Sequence, residues 1–198
     1  HDAFGGITGD WQQIVALLSV LSMFVGAIAA IGQSNIKRLM AYSSIGHIGY
    51  ALMGLAVASD EGLHGLAVYM AIYLAMNLGA FAVLIAMRRQ GKAVSRIEDL
   101  AGLGKTDPAM AMWMTIFMFS MAGIPPLAGF FGKFTVFAAA LNLGGLAGPA
   151  GWLAILAIFL SALALYYYLV ILKQALVVPP AAATSSDPST SRISVPVD

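Results

Sequence analysis

The sequence predicts an all-α polytopic membrane protein with about five transmembrane segments, one of them discontinuous near 123–128. Three observations carry this. Of 198 residues, 60% are hydrophobic and 10% charged, against about 25% charged in an ordinary soluble domain. Charge-free runs cover 11–36, 39–59, 62–87, 108–132 and 134–172, and ~20 apolar residues suffice to cross ~30 Å of hydrocarbon. Finally, "GIPPLAGFFGKF" at 123–134 sets Pro125, Pro126, Gly123, Gly129 and a lone cation, Lys133, within apolar sequence.

The elements follow in order. Residues 1–10 form a Gly-rich loop with no basic n-region, so they do not read as a signal peptide, and the chain reads as a piece of something longer. Helices are expected at about 12–32, 39–58, 65–87 and 151–173. Lys37 and Arg38 separate the first two, Asp60 and Glu61 the next two, and Arg88, Arg89, Lys92, Arg96 and Lys105 follow the third. That alternation places the basic loops on the cytoplasmic side. The stretch 108–145 is too long for one ordinary span. A single broken crossing is preferred, because it leaves Lys173 on the same side as the other basic residues.

The break has a physical cause. Proline removes a backbone donor and clashes with the preceding turn, so half-helices are expected at about 108–122 and 128–144. Freed backbone groups at membrane depth are tolerated only inside protein or beside water. The break is therefore expected to face a polar interior. The transmembrane bundle occupies 11–174. The Pro/Ser/Thr-rich stretch 175–198 has little capacity for a core and is expected to be disordered.

Composition also excludes. Net charge is +1 and there is no cysteine. This leaves no electrostatic case for a nucleic-acid partner, and no disulfide or thiolate site. Histidines stand apart at 1, 47 and 64, which argues against a metal site. No Walker loop, dinucleotide fingerprint or heptad array is present.

Lys133 is the first candidate for chemistry. A charged residue at mid-membrane costs ~2.5–3.5 kcal/mol on insertion scales. Desolvation disfavours the ammonium, and a nearby carboxylate opposes that, so a lysine between these influences can load and release a proton. The plainer reading is a lysine that snorkels to the interface. Its position beside a helix break favours the functional one.

The second helix places Lys37, Ser44 and His47 in one sector, at i, i+7 and i+10. Tyr42, Ser43 and Tyr50 widen the polar side. Histidine titrates near ~6.5 when unperturbed and suits proton transfer. His47 is equally readable as an interhelical hydrogen-bonder. Lys37 is equally readable as an interfacial anchor beside Arg38. On the third helix, Tyr69, Tyr73 and Asn77 form a stripe at i, i+4 and i+8. It reads as interhelical glue or as the lining of a hydrated path. Tyr166, Tyr167 and Tyr168 followed by Lys173 read as an interfacial belt with its anchor. Together these residues fit proton or ion transport near the midplane, a design that recurs with discontinuous helices.

Four stretches then match a known family: "QSNIKRLMAYSSIGHIGYALMG", "YLAMNLGAFAVL", "EDLAGLGKTDPAMAMWMTIFMFSMAGIPPLAGFFGKF" and "LYYYLVILKQ". Over about 11–174 the chain resembles the antiporter-like, proton-translocating membrane subunits of bacterial NADH:quinone oxidoreductase (respiratory complex I), subunit N in particular. The resemblance implies the second half of an antiporter-like inverted-repeat fold. It makes Lys133 the lysine of the broken helix at the exit end of a central hydrophilic axis. Lys37 becomes the lysine opening an earlier helix, His47 a polar position within that helix, and Tyr73 with Asn77 the residues usual for subunit N on the next. The family's intramembrane glutamate and further lysines lie upstream of residue 1.

The resemblance also implies no cofactor in this chain. NADH, flavin, iron–sulfur clusters and quinone belong to other subunits. The implied partners are other membrane-arm subunits, the lipid bilayer, protons and internal water. The implied location is the bacterial inner (plasma) membrane. Half of an inverted repeat by itself is expected to leave its polar axis open. The alternatives to a complex I subunit are a subunit of a multisubunit cation/proton antiporter and a structural membrane scaffold.

Overall fold

The computed structural model describes residues 8–89, 91–180 and 193–194. It is a helical bundle: α1 (Thr8–Ile31), α2 (Ile36–Ala56), α3 (Asp60–Ala86), the short α4 (Leu103–Thr106), α5 (Pro108–Ala122), α6 (Ala128–Gly144) and α7 (Pro149–Leu176). Between α3 and α4 lie β1 (Arg88–Arg89), β2 (Lys92–Ala93) and a 3₁₀ turn at Ile97–Leu100. β3 (Ile193–Ser194) completes a small antiparallel sheet of order β2-β1-β3, with Arg88 opposite both Ala93 and Ser194.

Local chemistry sets the boundaries. Asn35 caps α2 by accepting from the Lys37 and Arg38 amides, and Ser59 caps α3, whose first turn carries Asp60 and Glu61. Side-chain oxygens at an N-cap satisfy amides that have no helical partner. Asp107 accepts from Met110 N at 3.0 Å and Pro108 opens α5, a position where proline loses nothing. Gly123, at φ 88°, ends α5 in the left-handed conformation, which glycine adopts without strain.

Among the described residues, three helices are long and apolar enough to cross a membrane: Trp11–Ile31, Asp60–Ala86 and Pro149–Leu176. α2 has 21 residues, about 31 Å of helix, but its polar side chains lower its hydropathy. α5 and α6 have 15 and 17 residues and together make the broken segment expected at 108–145.

The chain ends of these helices sort by charge. The Ile36 amide donates to Ser95 O and the Ile97 amide to Ser34 O, which joins the α1–α2 loop to the loop after α3. The Gly102 amide donates to Val178 O, which brings the end of α7 to the same place. Lys37, Arg38, Arg88, Lys92, Arg96, Lys105 and Lys173 thus share one end of the bundle, and Asp60 and Glu61 lie at the other. One broken crossing is what puts Lys173 with the rest. The disorder expected of 175–198 concerns mainly residues outside the described ones; within them, α7 continues to Leu176 and Ile193–Ser194 pair with β1.

α1 and α2 pack backbone to backbone. Ser19 Oγ donates to Gly49 O at 2.7 Å, and Gly26 lies directly against Gly46 and Tyr42 O. Small residues permit such approach between membrane helices. The core falls into two apolar clusters. One, at the basic end, includes Leu39, Leu84, Leu100, Met114 and Tyr168; the other includes Met23, Met53, Tyr69, Val136 and Leu153. The polar residues of interest lie between them.

Candidate functional site

At the break the Gly123 and Ile124 amides donate to Phe119 O and the Gly129 amide to Ser120 Oγ. Pro125 and Pro126, joined by a cis peptide, face outward, while the ends of the half-helices turn inward. Lys133, on the first turns of α6, is 4% exposed. Its Nζ donates to Ala122 O, the last carbonyl of α5, at 3.0 Å, and to Ser161 Oγ on α7 at 2.8 Å. The ammonium also sits 5.1 Å from the centroid of the Tyr50 ring, within cation–π range. Among the described residues no carboxylate pairs with it. The partial negative charge at the C-terminus of a helix, here that of α5, stands where a counter-ion would.

His47, on α2, is 2% exposed. Nδ1 lies 2.6 Å from the Tyr69 hydroxyl and Nε2 3.0 Å from that of Tyr168. The Tyr168 hydroxyl in turn bonds the Ser43 hydroxyl. The imidazole stacks on Tyr73, with centroids 4.8 Å apart. Neutral histidine has one ring N–H and one ring acceptor. With the proton on Nε2, His47 donates to Tyr168 and accepts from Tyr69; with it on Nδ1, both roles reverse. The run Tyr69–His47–Tyr168–Ser43 can therefore be hydrogen-bonded in either sense, which is what proton hopping requires of a chain of groups.

Tyr50 joins the two sets. Its ring meets His47 edge-on at 6.0 Å and lies 5.1 Å from the Lys133 ammonium, which donates to Ser161. α2, α3, α6 and α7 thus each contribute a polar group to one buried line.

Of the residues singled out from sequence, this line brings together Lys133, His47, Ser43, Tyr50, Tyr69, Tyr73 and Tyr168. Ser44 donates back to Met40 O at 3.0 Å. Tyr42 is half-buried against the basic-end cluster. Asn77 Oδ1 is buried without a hydrogen-bond partner among the described residues. Lys37 stands apart, exposed in the first turn of α2. The polar axis does not lie open as expected for half a repeat: helices of this chain alone enclose both Lys133 and His47.

The tyrosine belt expected on α7 is also corrected. Tyr166 is 58% exposed, but Tyr167 and Tyr168 are 3% and 0% exposed. Consecutive helical residues point about 100° apart, so three in a row cannot all face outward, and two of these face the core. Ser161 escaped notice too. It lies at i−7 from Tyr168, on the same face of α7 as Ala154, Ala157 and Ala164, and that stripe of small residues was the available signal.

A bundle whose broken helix buries a lysine of one half against the free carbonyl of the other, beside a histidine–tyrosine line, defines a class of apolar helical bundles with a discontinuous helix and buried polar groups. The family model described as "NADH:quinone oxidoreductase/Mrp antiporter, TM" matches residues 2–171. The chain belongs to this family. It is 57% identical over 163 residues to the NADH-quinone oxidoreductase subunit N of Rhodospirillum rubrum, covering 82% of this chain and 32% of that one. It is 64% identical over 139 residues to the protein of that name from Gluconacetobacter diazotrophicus, covering 70% and 29%. The chain spans about a third of the length of these relatives. A chain of respiratory complex I from Thermus thermophilus superposes with a TM-score of 0.72 at 34% identity, over 91% of this chain and 40% of that one. A chain of the Mrp complex from Dietzia sp. superposes at 0.75 and 26% identity, over 92% and 34%.

Proposed function

We propose that the chain is part of a proton-translocating membrane subunit of NADH:quinone oxidoreductase. In this reading it moves protons across the bacterial inner membrane while NADH is oxidised by quinone in other subunits. The observation that carries it is the buried ammonium of Lys133, held by Ala122 O and Ser161 rather than by a counter-ion. Lys133 takes a proton from the central axis, on the side of Tyr50 and Ser161, and passes it toward the outer face. His47, with Tyr69, Tyr168 and Ser43, extends the line on the other side. The basic end of the bundle faces the cytoplasm. Lys37, Tyr42, Ser44, Tyr73 and Asn77 belong to the entrance side, where internal water connects them. The partners are the neighbouring membrane-arm subunits.

The likeness to the Mrp complex supports a second reading, a cation/proton antiporter subunit on the same fold. Inverted membrane vesicles carrying the full-length subunit separate the two. Proton uptake that starts on addition of NADH and needs quinone, and does not depend on sodium, is the expected result. Proton flux driven by a sodium gradient without NADH would replace the first reading with the second.

A further inference from the structure

We propose that Ser120 is a positioning residue for Lys133, and that the two half-helices of the broken segment cap each other through this pair. The inference rests on the reading of Lys133 as the proton-carrying group.

α6 begins without a cap of its own: Leu127, at its N-cap, offers no side-chain acceptor. The first amides of a helix have no internal partner. Ser120, on the last turn of α5 and 4% exposed, fills the gap. Its Oγ accepts from the Gly129 amide at 3.1 Å and donates to Met76 Sδ at 2.7 Å. The hydroxyl's single proton is thus used on α3, and its lone pair holds α6. Contact at this point is very close, since a Cβ on Gly129 would collide with Ser120 O. Lys133 follows Gly129 by one turn, on the same face of α6. Its ammonium returns to Ala122 O, which has lost its helical partner at the end of α5. α5 therefore supplies the N-terminal cap of α6, and α6 supplies the C-terminal cap of α5. Because Ser120 fixes where α6 starts, it fixes how far the Lys133 ammonium reaches.

The test uses the full-length subunit in its assembled complex. Ser120→Ala and Ser120→Thr are examined by cryo-EM for the distance from Lys133 Nζ to Ala122 O, and in vesicles for NADH-driven proton pumping. In Ser120→Ala the distance is expected to open beyond hydrogen-bonding range, with pumping down about tenfold, the effect of losing one buried hydrogen bond. Ser120→Thr keeps the hydroxyl and is expected to retain both. If the alanine variant does not assemble, Ser120→Cys, close in size but a weaker acceptor, takes its place with the same expectation. Lys133 still on Ala122 O without the serine hydroxyl, undiminished pumping in Ser120→Ala, or a threonine variant as impaired as alanine would each overturn the proposal. Normal pumping in Lys133→Ala would instead remove the proton reading of Lys133, and the measured distance would still decide the positioning role.

Discussion

Lys133 Nζ stands 2.8 Å from Ser161 Oγ, and this contact links the broken helix to α7. Ser161 is the only acceptor described for the ammonium apart from a main-chain carbonyl. Ser161→Ala removes it. A hydrogen bond to a charged group is worth ~1.5–3 kcal/mol, so proton pumping is expected to fall about 10- to 100-fold with the complex assembled. NADH-driven acidification of inverted vesicles measures this, and a normal rate would place Ser161 outside the path.

His47 separates hydrogen bonding from proton exchange. His47→Phe keeps the stack on Tyr73 but strands the hydroxyls of Tyr69 and Tyr168. Each stranded buried group costs ~1–3 kcal/mol, so lower complex stability is expected in thermal denaturation, together with lost pumping. His47→Gln retains a donor and an acceptor but cannot pass a proton through a ring. It is expected to assemble normally and still pump poorly. Wild-type pumping by the glutamine variant would make His47 structural glue.

Gly123 closes α5 at φ 88°. A Cβ there would lie 3.1 Å from Lys133 Cδ and 3.3 Å from Nζ. Gly123→Ala takes on ~1–2 kcal/mol of left-handed backbone strain and pushes on the lysine as well. Reduced pumping is expected, less severe than after loss of Lys133 itself. Vesicle assays of both variants side by side settle the order.

The α1–α2 seam gives an asymmetric pair. A Cβ on Gly26 would stand 2.7 Å from Gly46 Cα and 2.8 Å from Tyr42 O, whereas one on Gly46 finds its nearest neighbour at 3.9 Å. Gly46→Ala is expected to be neutral, and Gly26→Ala to lower the amount of assembled subunit by forcing the two backbones apart. Quantitative immunoblots of the complex distinguish them, and equal effects would contradict the packing described.

Much of this was legible in the sequence because its causes are local. Pro125 and Pro126 cannot continue a helix that precedes them and Gly123 takes the left-handed cap, so both half-helices fall where these residues put them. The clustering of basic residues at one end follows from the loop charges. The site was legible in part. Lys133 and His47 stand out because an ionisable residue in apolar sequence has few bland explanations. Their partners do not. Ser161 and Tyr168 come from α7, far along the chain, and a serine or tyrosine in a membrane helix has many uses. Lys37 shares a helical sector with His47, but it lies in the first turn, where the bundle ends and a charged head reaches solvent. Helical period gives direction around an axis, not depth along it.

The central claim is that Lys133 carries protons. Lys133→Ala in the full-length subunit, with NADH oxidation by quinone and proton uptake into inverted vesicles followed in the same sample, tests it most directly. The expected result is fewer protons taken up per NADH oxidised, with the complex fully assembled. Unchanged uptake at an unchanged rate of oxidation would contradict it.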